Sequence, residues 1–427
     1  MVQNNFSLSK KIIEIIFIIL PITLLLSNAL SELIILILIL FYISFPKPNF
    51  FLTTLKNPLI VLLLIFWLYL IFNYLINYEN NPSLERTIFF IRFPLLILSI
   101  SFFINKLNID LDKIFRYWMI IITIICVDIF FQFFTLKNII GNEAVLQGKI
   151  YRLGGFMGEE LKIANLIFHF GALVFSYFFL KKYSDSIKNN LVNILFLVLL
   201  VTTVFLTAER SNFVTIFFFS LLIIFFLGFK SIKLSLIILS IFSVMTVTLL
   251  VSNDHKQISK RMISSIIFKE FKNLKIESNK DYFNKDSHYF AHYSVAYQIY
   301  KKNKLFGVGL KNFRNYCDND EFNGGIHPSF HEKKCSTHPH NFYLEILSEI
   351  GMIGLLLLIS FFLFSFYIFS KVFIKTNDYY LIFSSFILLV YFVPFLPRGS
   401  FFTNWNAIIF WTVFAFIYSN YDKLKKF

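Results

Sequence analysis

Apolar residues run along this chain in long unbroken blocks separated by short polar breaks, with little of the two-residue alternation expected of strands. A helix needs about 20 mostly apolar residues to cross roughly 30 Å of hydrocarbon. Twelve blocks fit, near 11–28, 31–46, 57–77, 84–104, 115–135, 161–181, 190–208, 211–228, 233–251, 351–371, 379–396 and 404–419. The first two are parted only by the polar stretch at 27–32, so one long broken helix competes there with two separate ones. The N-terminal block has no A-x-A cleavage signature behind it and reads as a retained helix. The pattern predicts an all-α integral membrane protein of about twelve transmembrane helices, with one long, partly helical loop between the ninth and tenth. It divides the chain into a membrane domain over 1–251, a loop over 252–341 and a second membrane domain over 342–427.

Charge orients these blocks. With the N-terminus in the cytoplasm, the inner loops hold Lys10, Lys11, Lys47, Lys56, Lys106, Lys113, Arg116, Lys181, Lys182, Lys188, Lys230 and Lys233, and the later inner segments hold five further lysines. The short outer loops carry only Arg86, Lys137, Lys149, Arg152, Lys162, Arg210 and Arg398. Positive charge retained inside predicts two cytoplasmic termini and an outer 252–341 loop, whose own lysines do not count because long loops translocate regardless of charge. Composition agrees: 57% of the 427 residues are hydrophobic, 59 of them phenylalanine, more than a soluble fold can hide. A net charge of +15 would point to nucleic acid in a soluble protein. Here it is parcelled between apolar blocks, so the expected partners are membrane lipids and not nucleic acid.

The kind of cation adds information. Six of the eight arginines (Arg86, Arg152, Arg210, Arg261, Arg314 and Arg398) fall outside, in a chain that otherwise uses lysine. Retention inside needs only charge, whereas a guanidinium fork binds phosphate oxygens two at a time. This bias suggests an anionic, phosphate-bearing ligand at the outer face, against the plainer reading of ion pairs with neighbouring carboxylates. Within the spans, Arg92 and Asp128 lie at similar depth on consecutive antiparallel helices, and a buried ion pair between them is expected, with a substrate role left open. His169 reads as a hydrogen-bonded interior histidine, and Cys126 as inert.

The outer loop opens with a basic amphipathic stretch from Lys256 to Lys275 that can lie along a membrane surface. A helical pattern follows from His288 to Lys302, closed by a glycine turn at 304–309. Cys317 and Cys335 share the loop in an oxidising compartment, where a disulfide is expected. His327, His331, His338 and His340 cluster late, but no compact thiolate or carboxylate set accompanies them, and no metal site is expected. At 335–354, polar Pro-containing sequence turns into a helix beginning near His340 and Asn341. A helix N-terminus favours anions, and a histidine there is suited to moving a proton. Gly351 and Gly354 would let another helix approach closely.

Here the chain resembles the O-antigen ligase and polymerase superfamily of bacterial inner membranes. His340, Asn341, Gly351 and Gly354 match the ligases' pattern of His, then Asn, Ser or Gln, nine residues, and Gly-x-x-Gly. Residues 151–160 (YRLGGFMGEE) resemble the family's arginine- and glycine-containing segment, and Ala208-Glu209-Arg210-Ser211 its Glu-Arg pair. Lys304 to Arg314 resembles a PxxGxGxxxFR-like stretch, with lysine where proline is common. These segments lie within about 145–420; the N-terminal third agrees only in hydropathy.

The resemblance implies a membrane glycosyltransferase. It would move a glycan from undecaprenyl diphosphate to an acceptor sugar hydroxyl on lipid A–core, without metal or other cofactor, at the periplasmic face of the inner membrane. Arg152 and Arg210, and less centrally Arg261 and Arg314, would grip the diphosphate. His340 would take the acceptor proton, with His338 as understudy, while Glu160 and Glu209 would orient an arginine or the acceptor. A polymerase, whose acceptor is a second carrier-linked glycan, is the nearest alternative. A lipid-linked oligosaccharide flippase or other transporter would need ionisable groups lining a mid-membrane cavity, and neither these nor an internal repeat is seen. A non-enzymatic scaffold is the remaining alternative.

Overall fold

The computed structural model describes residues 2–45, 56–78, 83–147, 150–181, 187–228, 288–324, 326, 331–332, 334–394 and 396–424. The described residues are mostly helical. Helix α1 (Val2–Leu26) is followed after one residue by α2 (Asn28–Ser44), then α3 (Pro58–Ile76), the short α4 (Leu84–Phe89), α5 (Arg92–Lys106) and α6 (Leu111–Thr135). A small antiparallel hairpin, β1 (Val145–Gln147) with β2 (Ile150–Arg152), leads to α7 (Ile163–Ser176), α8 (Ile187–Leu206) and α9 (Arg210–Gly228). After the undescribed stretch come α10 (His288–Lys302), α11 (Phe313–Tyr316), α12 (Phe342–Thr376), α13 (Tyr379–Tyr391) and α14 (Asn404–Leu424). The ninth block, 233–251, and the amphipathic stretch at 256–275 lie outside the described residues.

Four helical segments are long and apolar enough to cross a membrane: Pro58–Ile76, Leu84–Lys106, Leu111–Thr135 and Phe342–Thr376. Shorter apolar helices stand beside them, including Asn28–Ser44 and Tyr379–Tyr391. This is an all-α, multi-pass membrane protein. Side chains such as Leu68, Ile120, Leu363 and Phe225 remain more than half exposed, as is natural where the surroundings are lipid tails. The interior is aromatic: α14 packs along α5, with Phe93 stacked on Trp411 at 5.9 Å.

Local sequence sets the helix ends. Ser27 is extended (φ −166°), and its hydroxyl accepts from Ala29 N at 3.1 Å. The N-cap thereby resolves the first two blocks into two helices packed on each other. Asp110 and Asp378 cap α6 and α13 in the same way.

The expected Arg92–Asp128 pair is not formed. Arg92 bridges to Glu32 at 3.2 Å, and Asp128 accepts from Ile139 N at 2.9 Å and Asn138 Nδ2 at 3.3 Å. Equal depth does not fix the direction in which a helix faces. The 136–142 turn folds back over α6 and supplies donors to Asp128 before any cation can reach it. His169 is interior as expected, with Nδ1 2.9 Å from Asn165 O.

Outside the bundle, α10 and the segments after it enclose a second small core of Ala291, Val295, Ile299, Val308, Phe313, Cys317 and Phe322. The Cys317–Cys335 disulfide staples this unit, with Cα atoms 5.0 Å apart. Closing a loop of about this length is worth about 3 kcal/mol in chain entropy. Reductant should therefore lower the thermal midpoint of the full-length protein, and Cys317→Ser should abolish that response. A midpoint indifferent to reductant would remove the staple from the stability of this unit.

Candidate active site

Two glycine-bearing motifs, far apart in sequence, form one joint. Gly351 has φ +70° and ψ −174°, which breaks α12 and frees backbone groups on both sides. The 304–309 loop fills the break. Val308 N donates to Ser348 O at 2.9 Å and Gly309 N to Glu349 O at 2.7 Å, while Met352 N donates to Lys304 O at 2.9 Å. Helix α3 completes the joint through Tyr69 OH on Ile350 O and Asn73 Nδ2 on Phe306 O, both 2.5 Å. Gly351 thus admits a loop, not the neighbouring helix its spacing suggested. A Cβ there would stand 2.2 Å from Leu305 O. A Cβ on Gly354 would meet the side chain of Ile350 on its own helix.

The joint sets the start of α12. Asn341 is its N-cap, accepting from Leu344 N at 3.1 Å, which explains a short polar residue after the histidine. One turn inside, Glu345 and Glu349 are buried with Lys311. Lys311 Nζ lies 3.1 Å from Glu345 Oε1, and Lys311 N donates to Glu349 Oε2 at 2.8 Å. Ser400 Oγ and Phe401 N also donate to Glu345, fastening the 397–403 segment beside the helix start. Sequence reasoning missed this cluster. Its trace is the E-x-x-x-E spacing on an otherwise apolar helix.

Above this anchor is a cavity of about 710 Å³ lined by Arg86, Arg152, Lys162, Arg210, Arg314, Arg398, Glu209, Tyr289, His338 and His340 among others. Among the described residues six cations and one carboxylate line it. Arg152, Arg210, Arg314, Glu209, His338 and His340 all line this cavity. Arg86 and Arg398 were visible in the outer arginine bias without being singled out, and Lys162 and Tyr289 were missed. Glu160 does not line the cavity; it is exposed and pairs with Lys162. Arg261 lies outside the described residues.

Among the described residues no carboxylate lies within ion-pair distance of Arg152 or Arg398, and the Nε of each has no acceptor. Arg152 Nη1 reaches only Gln147 Oε1, at 3.3 Å. Burial pulls the Arg152 guanidinium below its ordinary value, partly offset by Glu209. Glu209 sits in the turn between α8 and α9, where its Oε1 accepts from Ala164 N at 3.1 Å, at the start of α7. Its Oε2 accepts from Asn212 Nδ2 at 2.7 Å. Burial raises its carboxyl to about 7, against the pull of the Ala164 N–H and Arg152.

The two histidines differ. His338 Nε2 lies 3.2 Å from Arg398 O, and a carbonyl only accepts, so the ring proton is on Nε2. In the neutral ring Nδ1 then accepts from Thr337 Oγ1 at 3.0 Å, leaving His338 poorly placed to take a proton. His340 has φ +57° and passes its backbone carbonyl to Arg398 N at 2.8 Å. Its ring lies among His338, His292 and Tyr289, with centroids 4.1, 5.4 and 5.5 Å away. Burial, followed by repulsion from His338 and His292, lowers His340 to about 3. It is a neutral imidazole at physiological pH. His331 Nε2 donates to Ile326 O at 3.1 Å, and His327 lies outside the described residues.

Residues 195–359 match the family model described as O-antigen ligase. The resemblance to the O-antigen ligase superfamily holds. The matched stretch contains the Glu209-Arg210 pair, the 304–314 loop and the His340 to Gly354 motif, three of the four segments read as family-like. The fourth, at 151–160, lies before it and enters the site through Arg152. No curated protein matches the chain. The match supports a membrane protein similar to the O-antigen ligases.

Proposed function

We propose that this chain moves a glycan from undecaprenyl diphosphate to an acceptor sugar hydroxyl, the lipid A–core of a ligase reaction. The observation that carries the reading is the juxtaposition, in one cavity, of Arg152 and Arg398, neither paired with a carboxylate among the described residues, with a neutral imidazole at the wall. The diphosphate is the leaving group. Guanidinium groups held in place before it arrives stabilise the charge that grows as the glycosidic C–O bond breaks. His340 takes the proton from the acceptor hydroxyl while that oxygen bonds to the anomeric carbon, and undecaprenyl diphosphate departs. The scheme uses no metal or cofactor. Glu209, able to hold or release a proton near neutrality, steadies Arg152 and the acceptor side of the cavity.

In this proposal twelve spans place both termini in the cytoplasm and the 252–341 loop, with the cavity, on the periplasmic side of a bacterial inner membrane. Carrier-linked glycan and acceptor meet there. Cysteine labelling that found the 252–341 segment accessible from the cytosol would overturn it. Arg210→Lys keeps the charge and loses the fork, so turnover in proteoliposomes should fall about tenfold or more. Full activity would reduce Arg210 to a counter-charge. Product analysis separates the two acceptors: glycan on lipid A–core supports a ligase, and longer glycan on the carrier a polymerase.

A further inference from the structure

Of the ion pairs among the described residues, Lys311–Glu345 alone is buried on both sides, each side chain 2% exposed. Such a pair adds little to stability over apolar side chains of the same size, because stripping water from two charges offsets most of their attraction. Three distant segments meet on it. Lys311 Nζ stands 3.1 Å from Glu345 Oε1 and also donates to Ser400 Oγ, which in turn donates to Glu345 Oε1. Phe401 N donates to Glu345 Oε2 at 3.0 Å, and Lys311 N to Glu349 Oε2 at 2.8 Å. The same segment supports the histidines. Two residues before Ser400, Arg398 N donates to His340 O at 2.8 Å, and Arg398 O accepts from His338 Nε2 at 3.2 Å. His340 has φ +57° and Lys311 φ +60°. Residues with side chains keep that conformation only where their surroundings hold them in it. Ser400, Arg398 and His340 line the cavity, whereas Lys311 and Glu345 do not. The buried pair thus stands behind the wall that carries the imidazole.

We propose that Lys311 is a positioning residue for the transfer reaction: with Glu345 it sets the 398–401 backbone, and that backbone holds His340 in its left-handed conformation at the cavity wall. The inference rests on the reading of His340 as the base. It gives Lys311 an effect on the reaction although its side chain lies outside the cavity. The Arg398 guanidinium has supports of its own, Thr215 Oγ1 at 2.8 Å and Val390 O at 2.9 Å. Loss of Lys311 therefore acts on proton transfer more than on binding, and on kcat more than on KM.

The test is glycan transfer by the full-length protein in proteoliposomes charged with the carrier-linked glycan and acceptor lipid of the native membrane, with thermal unfolding recorded alongside. Lys311→Met leaves Glu345 buried and unpaired, so the melting temperature should drop. Its kcat should fall about 10- to 100-fold at nearly constant KM, the cost of a displaced catalytic group. Adding Glu345→Gln removes the stranded charge. The double variant should recover the melting temperature but not kcat, and it decides where Lys311→Met alone fails to fold. Should neither fold, Ser400→Ala cuts the link while keeping the pair, and decides by the same fall in kcat. Recovery of kcat together with the melting temperature, or a loss confined to KM, makes the pair structural only and overturns the inference. In a His340→Ala background Lys311→Met should cost little more, because groups that act as a unit are not additive; a full additional loss also overturns it. Normal transfer by His340→Ala removes the base reading and this inference with it. An inactive His340→Ala protein beside a Lys311→Met protein of unchanged kcat removes Lys311 alone.

Discussion

His340→Ala is expected to lower glycan transfer in proteoliposomes by about 10²–10⁴-fold, the usual worth of a positioned general base, while the protein stays folded and inserted. His338→Ala should cost much less, because both its ring nitrogens are engaged with Arg398 O and Thr337 Oγ1 and its role is to hold the 397–403 segment. Transfer at the normal rate by the His340 variant would remove that residue from the mechanism.

The same residue sets the pH dependence. Burial and two neighbouring histidines lower it to about 3 in the free protein, so protonation should not limit kcat/KM at pH 5, where an ordinary histidine would already be charged. Bound diphosphate adds negative charge nearby and raises the imidazole. The acid limb of kcat should therefore lie at higher pH than that of kcat/KM, which reports the free enzyme. Coincident acid limbs near 6.5 would show an unshifted histidine and sink this account. Stability carries a matching sign. A histidine with a lowered folded value contributes stability above its unfolded value, and that contribution is lost as pH falls from about 6.5 towards 3.

Gly351→Ala should damage the fold severely. Its φ of +70° disfavours any side chain, and the new Cβ would lie 2.2 Å from Leu305 O and 2.5 Å from Phe306 N. Those contacts are backbone held by Met352 N on Lys304 O and by Asn73 on Phe306 O, so neither side can yield alone. Strain of about 1–3 kcal/mol from the dihedral adds to a comparable cost for the overlap. The expected result is a sharply reduced yield of monodisperse protein and a lower melting temperature. Gly324→Ala is the control, since its Cβ would meet only Gln298 Oε1 at 3.4 Å and little change is expected. A Gly351→Ala protein as stable as wild type would show that the joint between the 304–309 loop and α12 does not hold the site together.

Much of the architecture was legible before any coordinates. Apolar block length predicts helices, and the expected start near Asn341 carries its cap, because both signals are local; the caps at Ser27, Asp110 and Asp378 emerged with the structure. Residue chemistry also marked the cavity: arginine kept on one side of a lysine-rich chain pointed to Arg152, Arg210 and Arg314, and histidine at a helix start pointed to His340. Local reasoning failed where the answer depended on which way a helix faces. Arg92 and Asp128 share a depth yet turn to different partners, and Glu160, two residues from Lys162, points out of the cavity that Lys162 lines.

What the sequence by itself determined is a helical membrane protein with a few arginines set apart from its many lysines and a family-like histidine motif, because hydrophobic length and charge type are read residue by residue. Only the tertiary structure decided that the 304–309 loop seals the break at Gly351, that Lys311 and Glu345 anchor the 397–403 segment, and that Arg398 is buried without a carboxylate. Each of those depends on groups tens to hundreds of residues apart meeting within hydrogen-bond distance. No periodicity along the chain encodes such meetings; they follow from how the helices pack and which donors are left to be satisfied.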